Sequence, residues 1–331
     1  MSSPAKLAVV FGGSGFVGRY ISRRLAKAGW RVRVAVRRPN EAGFVRPYGV
    51  VGQLEPVFCN IRDDASVAAA LVGADAVVNC VGTFDKSGAN NFDAVQHEAA
   101  GRVARLAAAA GVTKLVHLSA LGADSGSESL YYASKGKGEA AVLEAFPSAI
   151  ILRPSVIFGI EDKFFNRFAT MARVSPVLPL VGGSARFQPV YVDDVAAAAV
   201  NAITYDVAPG AYELGGPEEY TLRELIDGML GFIQQRRLVL PLPSAIGGLL
   251  ASVLDIGSAL TGRLIGNAIL TRDQVRMLKH DSVLRPGTAG LAELGVTPTD
   301  MAAILPEYLW RFRPAGQFDA IKDSAKRLKK S

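Results

Sequence analysis

The stretch Val9-Val10-Phe11-Gly12-Gly13-Ser14-Gly15-Phe16-Val17-Gly18 decides the fold of this chain. Its apolar start predicts a buried strand, and the apolar residues at spacing four that follow it predict a helix. Between them, Gly12 permits a tight turn, Gly15 lets the backbone approach a phosphate, and Gly18 lets the helix pack closely on the strand. The helix N-terminus adds N–H donors and a positive dipole end. This arrangement predicts a dinucleotide-binding site formed by Gly12, Gly13, Ser14, Gly15, Phe16, Val17 and Gly18.

The end of the second predicted strand carries Arg37 and Arg38. In a dinucleotide fold this point lies beside the adenosine ribose, where an acidic residue would select NAD. Guanidinium groups instead bind a 2′-phosphate through bidentate hydrogen bonds. We therefore predict NADPH (NADP) as the cofactor. The alternative is that both arginines are solvated loop charges.

The composition predicts a globular protein. The chain has 331 residues, of which 50% are hydrophobic and 20% charged, enough for one large or two ordinary domains. The net charge of +7 suits an anionic cofactor and an acidic partner or lipid surface, but no basic–aromatic array indicates nucleic-acid binding. Cys59 and Cys80 lie in or beside separate predicted strands, which the usual strand order keeps two strands apart, so we expect buried thiols and no disulfide. His97, His117 and His280 lack metal-ligand spacing, and no metal is predicted.

Strands and helices alternate through the first half of the chain. This pattern predicts an α/β fold: a Rossmann-type, doubly wound parallel sheet with a smaller mixed C-terminal lobe. Within it, one long helix is expected over 91–110 and another over 131–145. We assign residues 1–160 to the dinucleotide-binding domain, with a strand contribution from about 186–215, and residues 161–331 to a C-terminal lobe that faces a partner or the membrane.

Tyr131 and Lys135 are the candidate catalytic pair. They lie four residues apart at the start of a predicted helix, so their side chains share one face. An ammonium beside a phenol favours the phenolate, which is expected to lower the pKa of Tyr131. The pair is therefore a candidate acid/base device for hydride chemistry, and the lysine is also placed to reach the nicotinamide ribose.

The chain resembles an extended, atypical short-chain dehydrogenase/reductase over roughly residues 6–225. The resemblance is carried by Gly12-x-x-Gly15-x-x-Gly18, Tyr131-x-x-x-Lys135, Leu152-Arg153-Pro154-Ser155-x-x-Phe158-Gly159 and Gln188-Pro189-Val190-Tyr191-Val192-Asp193-Asp194-Val195-Ala196. It implies that the stretch after the fourth strand approaches the cofactor's ribose and diphosphate, through Val81, Gly82 and Thr83. It also implies that Ser119 and Pro154 lie near the nicotinamide, and that Tyr131 and Lys135 are cofactor ligands, and catalytic residues only if the protein is active.

One departure from that family concerns the hydroxyl that polarises a substrate carbonyl. The family's catalytic hydroxyl usually lies a residue or two past the end of the fifth strand. Ser119 is the only hydroxyl there in this chain, and its position is early for that role. This early position favours a cofactor that is bound but not turned over.

The last third of the chain carries a narrower resemblance. Leu270-Thr271-Arg272-Asp273-Gln274-Val275-Arg276-Met277-Leu278 follows an apolar stretch over 241–270, and the run 146–166 fits the same pattern. Together they resemble the family of nucleotide-binding accessory subunits of respiratory complex I (NADH:ubiquinone oxidoreductase). That resemblance implies tightly bound NADPH, a place on the peripheral arm next to the quinone-reducing region at the membrane surface, other complex I subunits as partners, and no turnover.

Two C-terminal features leave alternatives open. The stretch 241–270 is typical of an interfacial or partner-facing helix, but a helix buried in the second lobe shares the pattern. A basic tail suits anionic lipid or an acidic neighbouring subunit, and a frayed, solvated terminus has the same composition: Lys322, Lys326, Arg327, Lys329 and Lys330.

The expected location is peripheral. No apolar run approaches the ~20 residues that a membrane-spanning helix needs, and no targeting segment precedes the first strand. We expect the cytoplasmic side of a bacterial inner membrane, or the matrix side of the mitochondrial membrane for a processed eukaryotic chain.

The sequence thus favours an NADP(H)-binding accessory subunit of complex I without independent turnover. The alternative is an active NADP(H)-dependent reductase, epimerase or dehydratase acting on a sugar-nucleotide, isoprenoid or quinone-pathway substrate, supported by the Tyr131/Lys135 pair. A third hypothesis is a sensor, in which the redox state of the cofactor changes partner binding.

Overall fold

The computed structural model describes residues 5–84, 88–243, 272–278, 280–314 and 316. Contacts along the chain divide it into two compact units. The first unit comprises Met1–Ser155, Val192–Gly215 and Leu284–Pro298, and the second comprises Val156–Tyr191, Gly216–Val283 and Thr299–Ser331. The sequence assigns 284–298 to the C-terminal lobe, whereas the structure places this segment in the first unit.

The elements are numbered along the chain. The strands are β1 (Leu7–Phe11), β2 (Arg31–Val36), β3 (Leu54–Phe58), β4 (Ala76–Asn79), β5 (Lys114–Leu118), β6 (Ile150–Pro154), β7 (Ile157–Phe158), β8 (Val177–Val181), β9 (Arg186–Phe187), β10 (Val190–Tyr191), β11 (Gly210–Leu214), β12 (Tyr220–Thr221) and β13 (Leu238–Leu242). The helices are α1 (Phe16–Lys27), α2 (Asp64–Leu71), α3 (Ala99–Ala109), α4 (Leu130–Ala145), α5 (Phe165–Val174), α6 (Val192–Thr204) and α7 (Leu222–Phe232), with two later helices at Arg272–Met277 and Met301–Leu309. A 3₁₀ segment covers Pro39–Tyr48, and another covers Trp310–Phe312.

The first unit is built on a parallel sheet. Seven strands of the described residues pair in the order β11-β6-β5-β4-β1-β2-β3. Phe11 at the end of β1 lies opposite Ala35 of β2 and Asn79 of β4, so the chain order reverses at β1. Ligands of open α/β sheets bind in the crevice at such a reversal, at the carboxyl ends of the strands. The predicted Rossmann-type doubly wound sheet is confirmed.

Helices pack against the strands whose carboxyl ends form this crevice. α2, α3 and α4 contribute to one apolar core with the sheet, whose members include Val9, Phe11, Val67, Val77, Val103, Leu115, Val142 and Ile151. α1 and α6 pack against each other, and Arg24 of α1 donates two hydrogen bonds of 2.8 Å to Asp193 of α6. Both cysteines are free thiols, and β1 and β2 separate the strands that they follow. Cys59 is buried as predicted, whereas Cys80 is half-buried.

The helix predicted over 91–110 is present, but it contains a π turn. Asp93–Glu98 forms a π-helical turn, and α3 begins only at Ala99. α4 lies so close to this turn that a Cβ on Gly138 would stand 2.0 Å from the carbonyl oxygen of Gln96. A π turn inserts a residue and redirects the side chains around it. Apolar spacing predicts the helix but does not reveal such an insertion.

The second unit has its own core and three short strand pairs. β7 pairs with β10, β9 with β12 and β8 with β13, and helices α5 and α7 share an apolar core with the helix Met301–Leu309. Tyr308 of that helix donates a 2.6 Å hydrogen bond to the buried carboxylate of Asp162. Arg186 pairs with Glu219 and Asp281 at 3.1 Å each.

Two predicted features lie largely or wholly outside the described residues. The structure describes only 241–243 of the apolar stretch 241–270, and the basic tail at 322–330 is likewise outside. Among the helices that the structure does describe, none is both long enough and apolar enough to cross a membrane.

Candidate functional site

The glycine-rich loop after β1 forms an open cradle at the start of α1. Gly12 has φ +76°, in the left-handed region that favours glycine, and its N–H bonds Ala35 O at 3.0 Å. A Cβ on Gly18 would lie 2.3 Å from Gly12 O, so only glycine lets helix and loop approach this closely. Gly15 caps α1 without any side-chain hydrogen bond, and the first turn contains no acidic residue. This N-terminus therefore suits an anion that accepts backbone hydrogen bonds.

The other predicted loop residues line or support this cradle. Gly13 abuts β2, since a Cβ there would lie 3.0 Å from Val34 Cγ1. Ser14 is half-buried, Val17 is buried, and Phe16 packs edge-on against Tyr20 with ring centroids 6.3 Å apart.

Basic side chains surround the end of β2, next to the loop. Arg37 is exposed, and Arg38 pairs with Glu41 at 3.1 Å on the surface. A third arginine, which the sequence reasoning missed, lies on the loop itself. Arg19 of α1 donates to Gly15 O at 3.2 Å and to Ser14 O at 3.1 Å, and its guanidinium lies 4.8 Å from the Phe44 ring centroid. In the sequence, Arg19 could have been found from its position one residue after the glycine motif.

The turn after β4 forms a wall between the glycine loop and α4. The Asn79 side chain accepts the Val81 N–H at 3.1 Å and shapes this turn. Val81 faces the loop, because a Cβ on Gly12 would lie 3.2 Å from Val81 Cγ2. Gly82 faces α4, where its Cβ position lies 3.9 Å from Lys135 Nζ. The structure thus brings Val81 and Gly82 together with Gly12 and Lys135.

Gln96 ties this turn to α4 and was also missed by the sequence reasoning. It is buried in the π turn, donates from Nε2 to Thr83 O at 2.5 Å and accepts from Ser134 Oγ at 3.1 Å. Ser134 also donates to Tyr131 O at 2.8 Å. A polar residue on the inward face of an apolar helix pattern was the signal that could have found it.

Tyr131 is surrounded by aromatic rings. Its ring stacks on Phe84 with centroids 5.2 Å apart and planes 7° apart, and it meets Phe92 and Tyr132 edge-on at 6.0 and 5.6 Å. Burial, and next the neighbouring Tyr132, hold the pKa of Tyr131 above its ordinary value. The expectation that Lys135 lowers this pKa is therefore wrong, because removal from water opposes the phenolate and outweighs any help from the ammonium.

Lys135 is almost completely buried one turn further along α4. Its Nζ donates to Leu118 O at the end of β5, at 3.0 Å. Burial lowers the pKa of Lys135 to about 8, although the nearby Glu139 and Cys80 act in the opposite direction. The lysine reaches the floor of the crevice, as a ribose ligand would require, and its ammonium is held there by a backbone carbonyl.

Ser119 directly follows β5, and Pro154 ends the neighbouring strand β6. The Ser119 N–H donates to Leu152 O at 2.8 Å, and the Leu121 N–H donates to Pro154 O at 2.9 Å, so β5 and the following loop stay beside β6. Among the described residues, Ser119 Oγ and His117 Nε2 are buried polar atoms without a hydrogen-bond partner. Burial and then Lys135 lower the pKa of His117 to about 3, which keeps that ring neutral.

Buried ion pairs anchor α4 and a C-terminal segment to the sheet. Glu139 of α4 accepts hydrogen bonds of 3.0 and 2.5 Å from Arg153 of β6. Glu213 of β11, also buried, accepts from Arg285 Nε at 2.7 Å and from Thr288 Oγ1 at 3.2 Å. The second pair explains why 284–298 belongs to the first unit: a buried carboxylate on an edge strand needs a cation, and this segment supplies it.

The residues present fit a dinucleotide. The glycine loop has the close helix–loop packing that this motif requires, which a Cβ at Gly18 would disrupt. Ser119 Oγ is a buried hydrogen-bonding group without a partner among the described residues. The arginines beside β2 add positive charge at the adenosine end. The phenol of Tyr131 is not made acidic by Lys135, because its pKa is raised.

Comparison with known proteins agrees with this geometry. Residues 8–215 match the model of the NAD dependent epimerase/dehydratase family. The mitochondrial NADH dehydrogenase [ubiquinone] 1 alpha subcomplex subunit 9 of Arabidopsis thaliana is 32% identical over 94% of this chain and 79% of that protein. A ceramide reductase of Caulobacter vibrioides is 32% identical over 86% of this chain and 87% of that protein. Among solved structures, the dTDP-glucose 4,6-dehydratase DesIV of Streptomyces venezuelae superposes with a TM-score of 0.70 at 23% identity, covering 92% of this chain and 96% of that one.

Proposed function

The chain belongs to the NAD dependent epimerase/dehydratase family, and from this premise we propose that it holds NADP(H) as an accessory subunit of respiratory complex I without turning the nucleotide over. The family description supports a nicotinamide dinucleotide, and Arg37 and Arg38 favour the 2′-phosphorylated form. Relatives named as complex I subunits, in Arabidopsis thaliana and in Neurospora crassa, support the role of the whole chain.

The observation that carries this proposal is the state of the tyrosine. A general acid works best when its pKa lies near the working pH, and burial moves the pKa of Tyr131 away from that range. Its ring is a packing partner of Phe84, Phe92 and Tyr132. Such a site can hold a nicotinamide while lacking a ready proton donor for a substrate carbonyl.

The residues of the crevice have separate roles in this proposal. Gly12, Gly15 and Gly18 give the pyrophosphate its place at the α1 N-terminus, and Val81, Gly82 and Thr83 form the wall beside the riboses. Lys135, Ser119, Tyr131 and Pro154 lie at the nicotinamide end, where Lys135 Nζ is placed for the ribose hydroxyls. When bound, the nicotinamide supplies a hydride acceptor or donor, and these residues hold its ring in one orientation.

We infer a peripheral position on the membrane that carries the complex. The relatives with complex I names are mitochondrial subunits, which favours the mitochondrial membrane and gives no support to the expected bacterial inner membrane. The partners are then other subunits of that complex.

Copurification tests this proposal. The protein, tagged at its N-terminus and expressed in its own host, is extracted in mild detergent, and the complexes are resolved by native electrophoresis and native mass spectrometry. The expected result is a chain that migrates with complex I and carries one NADP(H). A monomer that is absent from the complex would contradict the assignment.

A second function, an active NADP(H)-dependent reductase, is favoured by one observation. Ser119 Oγ is buried near Lys135's carbonyl partner and has no partner among the described residues, so it is available to polarise a carbonyl. The relative named ceramide reductase, which is 32% identical to this chain, supports the same function. Oxidation of NADPH by a keto ceramide or a quinone, abolished in Tyr131→Phe and in Ser119→Ala, would establish this function instead.

A further inference from the structure

We infer that Arg19 is a third guanidinium ligand of the adenosine 2′-phosphate and determines the preference for NADP(H) together with Arg37. This inference rests on the proposed function, since it requires that the crevice holds a dinucleotide. It adds a residue that neither the glycine motif nor the strand-end arginines indicate.

The first step is the position of the glycine loop relative to β2. The Gly12 N–H bonds Ala35 O at 3.0 Å, and the Cβ position of Gly13 lies 3.0 Å from Val34 Cγ1. The loop therefore crosses the carboxyl end of β2, and Arg37 follows this strand directly. Ser14, the next loop residue, lies on the side of the loop where the adenosine ribose is expected.

The second step is the position of the Arg19 side chain. Its Nε donates to Gly15 O and its NH2 group to Ser14 O, at 3.2 and 3.1 Å, so the guanidinium lies on the outer rim of the loop and not along the helix. A guanidinium carries five N–H donors, and both of these acceptors are uncharged carbonyl oxygens that orient the fork. The same group can therefore brace the loop and attract a phosphate that arrives beside Ser14.

The third step is the contact that holds Arg19 toward β2. Phe44 lies 4.8 Å from the Arg19 guanidinium, and it belongs to the 3₁₀ segment Pro39–Tyr48 that begins immediately after Arg37 and Arg38. Ala42 and Val45 bury the same segment in the core. The ring thus rests on a fixed support, and a cation–π contact with it keeps Arg19 beside the strand end that carries the other two arginines.

The test compares affinities for nucleotides that differ only in the 2′-phosphate. Full-length wild-type, Arg19→Met and Arg19→Lys proteins are titrated by calorimetry with NADPH, NADH, 2′,5′-ADP and 5′-ADP. The matched control is Arg23→Met, which removes the same charge one turn along α1, where Arg23 lies 3.6 Å from Asp193. Phe44→Leu removes the ring but keeps an apolar side chain on the segment.

The expected result is a selective loss. Arg19→Met weakens NADPH and 2′,5′-ADP by about tenfold or more, the scale of one charge-assisted hydrogen bond, and leaves NADH and 5′-ADP within about twofold. Arg19→Lys restores part of the loss because it keeps the charge, and Phe44→Leu costs about threefold on the phosphorylated ligands alone. Arg23→Met leaves all four affinities within about twofold, because Arg23 lies beside Asp193 of α6 and not on the loop.

Three outcomes would overturn the inference. Equal weakening of NADPH and NADH in Arg19→Met would show that Arg19 only shapes the loop, and melting temperatures of the same samples identify a variant that has lost its fold. An unchanged NADPH to NADH ratio in Arg19→Met, with the ratio reduced in Arg37→Asp, would remove Arg19 and leave the proposed cofactor intact. If wild-type protein shows no preference for 2′-phosphorylated ligands, the NADP(H) proposal fails together with this one.

Discussion

The two ends of the candidate crevice differ in how they use their polar residues. At the glycine loop, the α1 N-terminus carries no side-chain cap and no acidic residue, and arginines lie on the rim. At the other end, the chain uses its own groups on itself: Tyr131 stacks on Phe84, and Lys135 donates to Leu118 O. At the glycine loop the α1 N-terminus has no side-chain cap, whereas at the other end the side chains of Tyr131 and Lys135 contact the chain itself.

This difference separates holding a nucleotide from using it. Binding a pyrophosphate needs only a shaped backbone and positive charge, both of which survive at the glycine loop. Turnover also needs a proton donor of suitable pKa, and burial works against that at Tyr131. A chain selected to carry a cofactor inside a larger assembly would keep the first requirement and could lose the second.

The largest effect is expected from a substitution in the glycine loop. In Gly18→Ala, the new Cβ lies 2.3 Å from Gly12 O, so loop and helix must move apart. We expect nucleotide affinity to fall at least ~100-fold and the free energy of unfolding to fall by roughly 3 kcal/mol. Calorimetric titration and urea unfolding measure both.

The matched control for this change is Gly43→Ala. A Cβ on Gly43 meets no atom within 4 Å, although it belongs to the neighbouring 3₁₀ segment. It should leave affinity and stability nearly unchanged. If Gly18→Ala bound NADPH almost normally, the glycine loop would not be part of the cofactor site.

The next effect tests whether Lys135 lies in a dry interior. Its pKa is about 8 in the folded protein and 10.5 as an ordinary lysine, so the unfolded chain binds more protons between these values. The free energy of unfolding of wild type, relative to Lys135→Met, should therefore rise by up to about 3 kcal/mol from pH 8 to pH 10.5 and stay level below pH 8. Urea unfolding of the two proteins across this range measures the difference. Parallel curves would mean that the lysine is well hydrated.

Arg37→Asp sharpens the comparison at the adenosine end. It replaces an attraction for the 2′-phosphate by a repulsion, and should weaken NADPH by about 2 kcal/mol, roughly 30-fold, with little effect on NADH. Arg38→Asp should weaken NADPH less, because Arg38 also pairs with Glu41 on the surface. If both variants bound NADPH as wild type does, both arginines would be solvated loop charges.

The smallest expected effect concerns the phenol. Tyr131→Phe keeps the ring that packs on Phe84 and Phe92, so NADPH affinity should change by less than about threefold, the scale of one neutral hydrogen bond. Tyr131→Ala removes the ring and should lower the free energy of unfolding by about 3 kcal/mol. A large loss of NADPH affinity in Tyr131→Phe would mean that the hydroxyl serves the cofactor directly.

Local patterns predicted the sheet and the glycine loop, because strand, turn and helix signals lie within a few residues of each other. The helix predicted over 131–145 corresponds to α4, whose start is capped by the Ser129 side chain. The contacts of Arg19 with Phe44 and of Gln96 with Thr83 and Ser134 join distant segments, so spacing could not reveal them.

The pKa of Tyr131 shows where sequence reasoning stops. Spacing placed Tyr131 and Lys135 on one helix face, but it does not report how much water surrounds them. In the structure, desolvation of the phenol and the proximity of Tyr132 set the pKa, and the lysine pairs with a carbonyl of β5.

The most direct test of nucleotide holding without turnover is a single-turnover measurement on the protein loaded with NADPH. The complex is mixed in a stopped-flow instrument with a panel of carbonyl compounds, including a keto ceramide, a sugar-nucleotide ketone and a short-chain quinone, while nicotinamide absorbance is followed. We predict that bound NADPH stays reduced and bound in every case. Oxidation of bound NADPH by any one compound, abolished in Tyr131→Phe, would contradict the central claim.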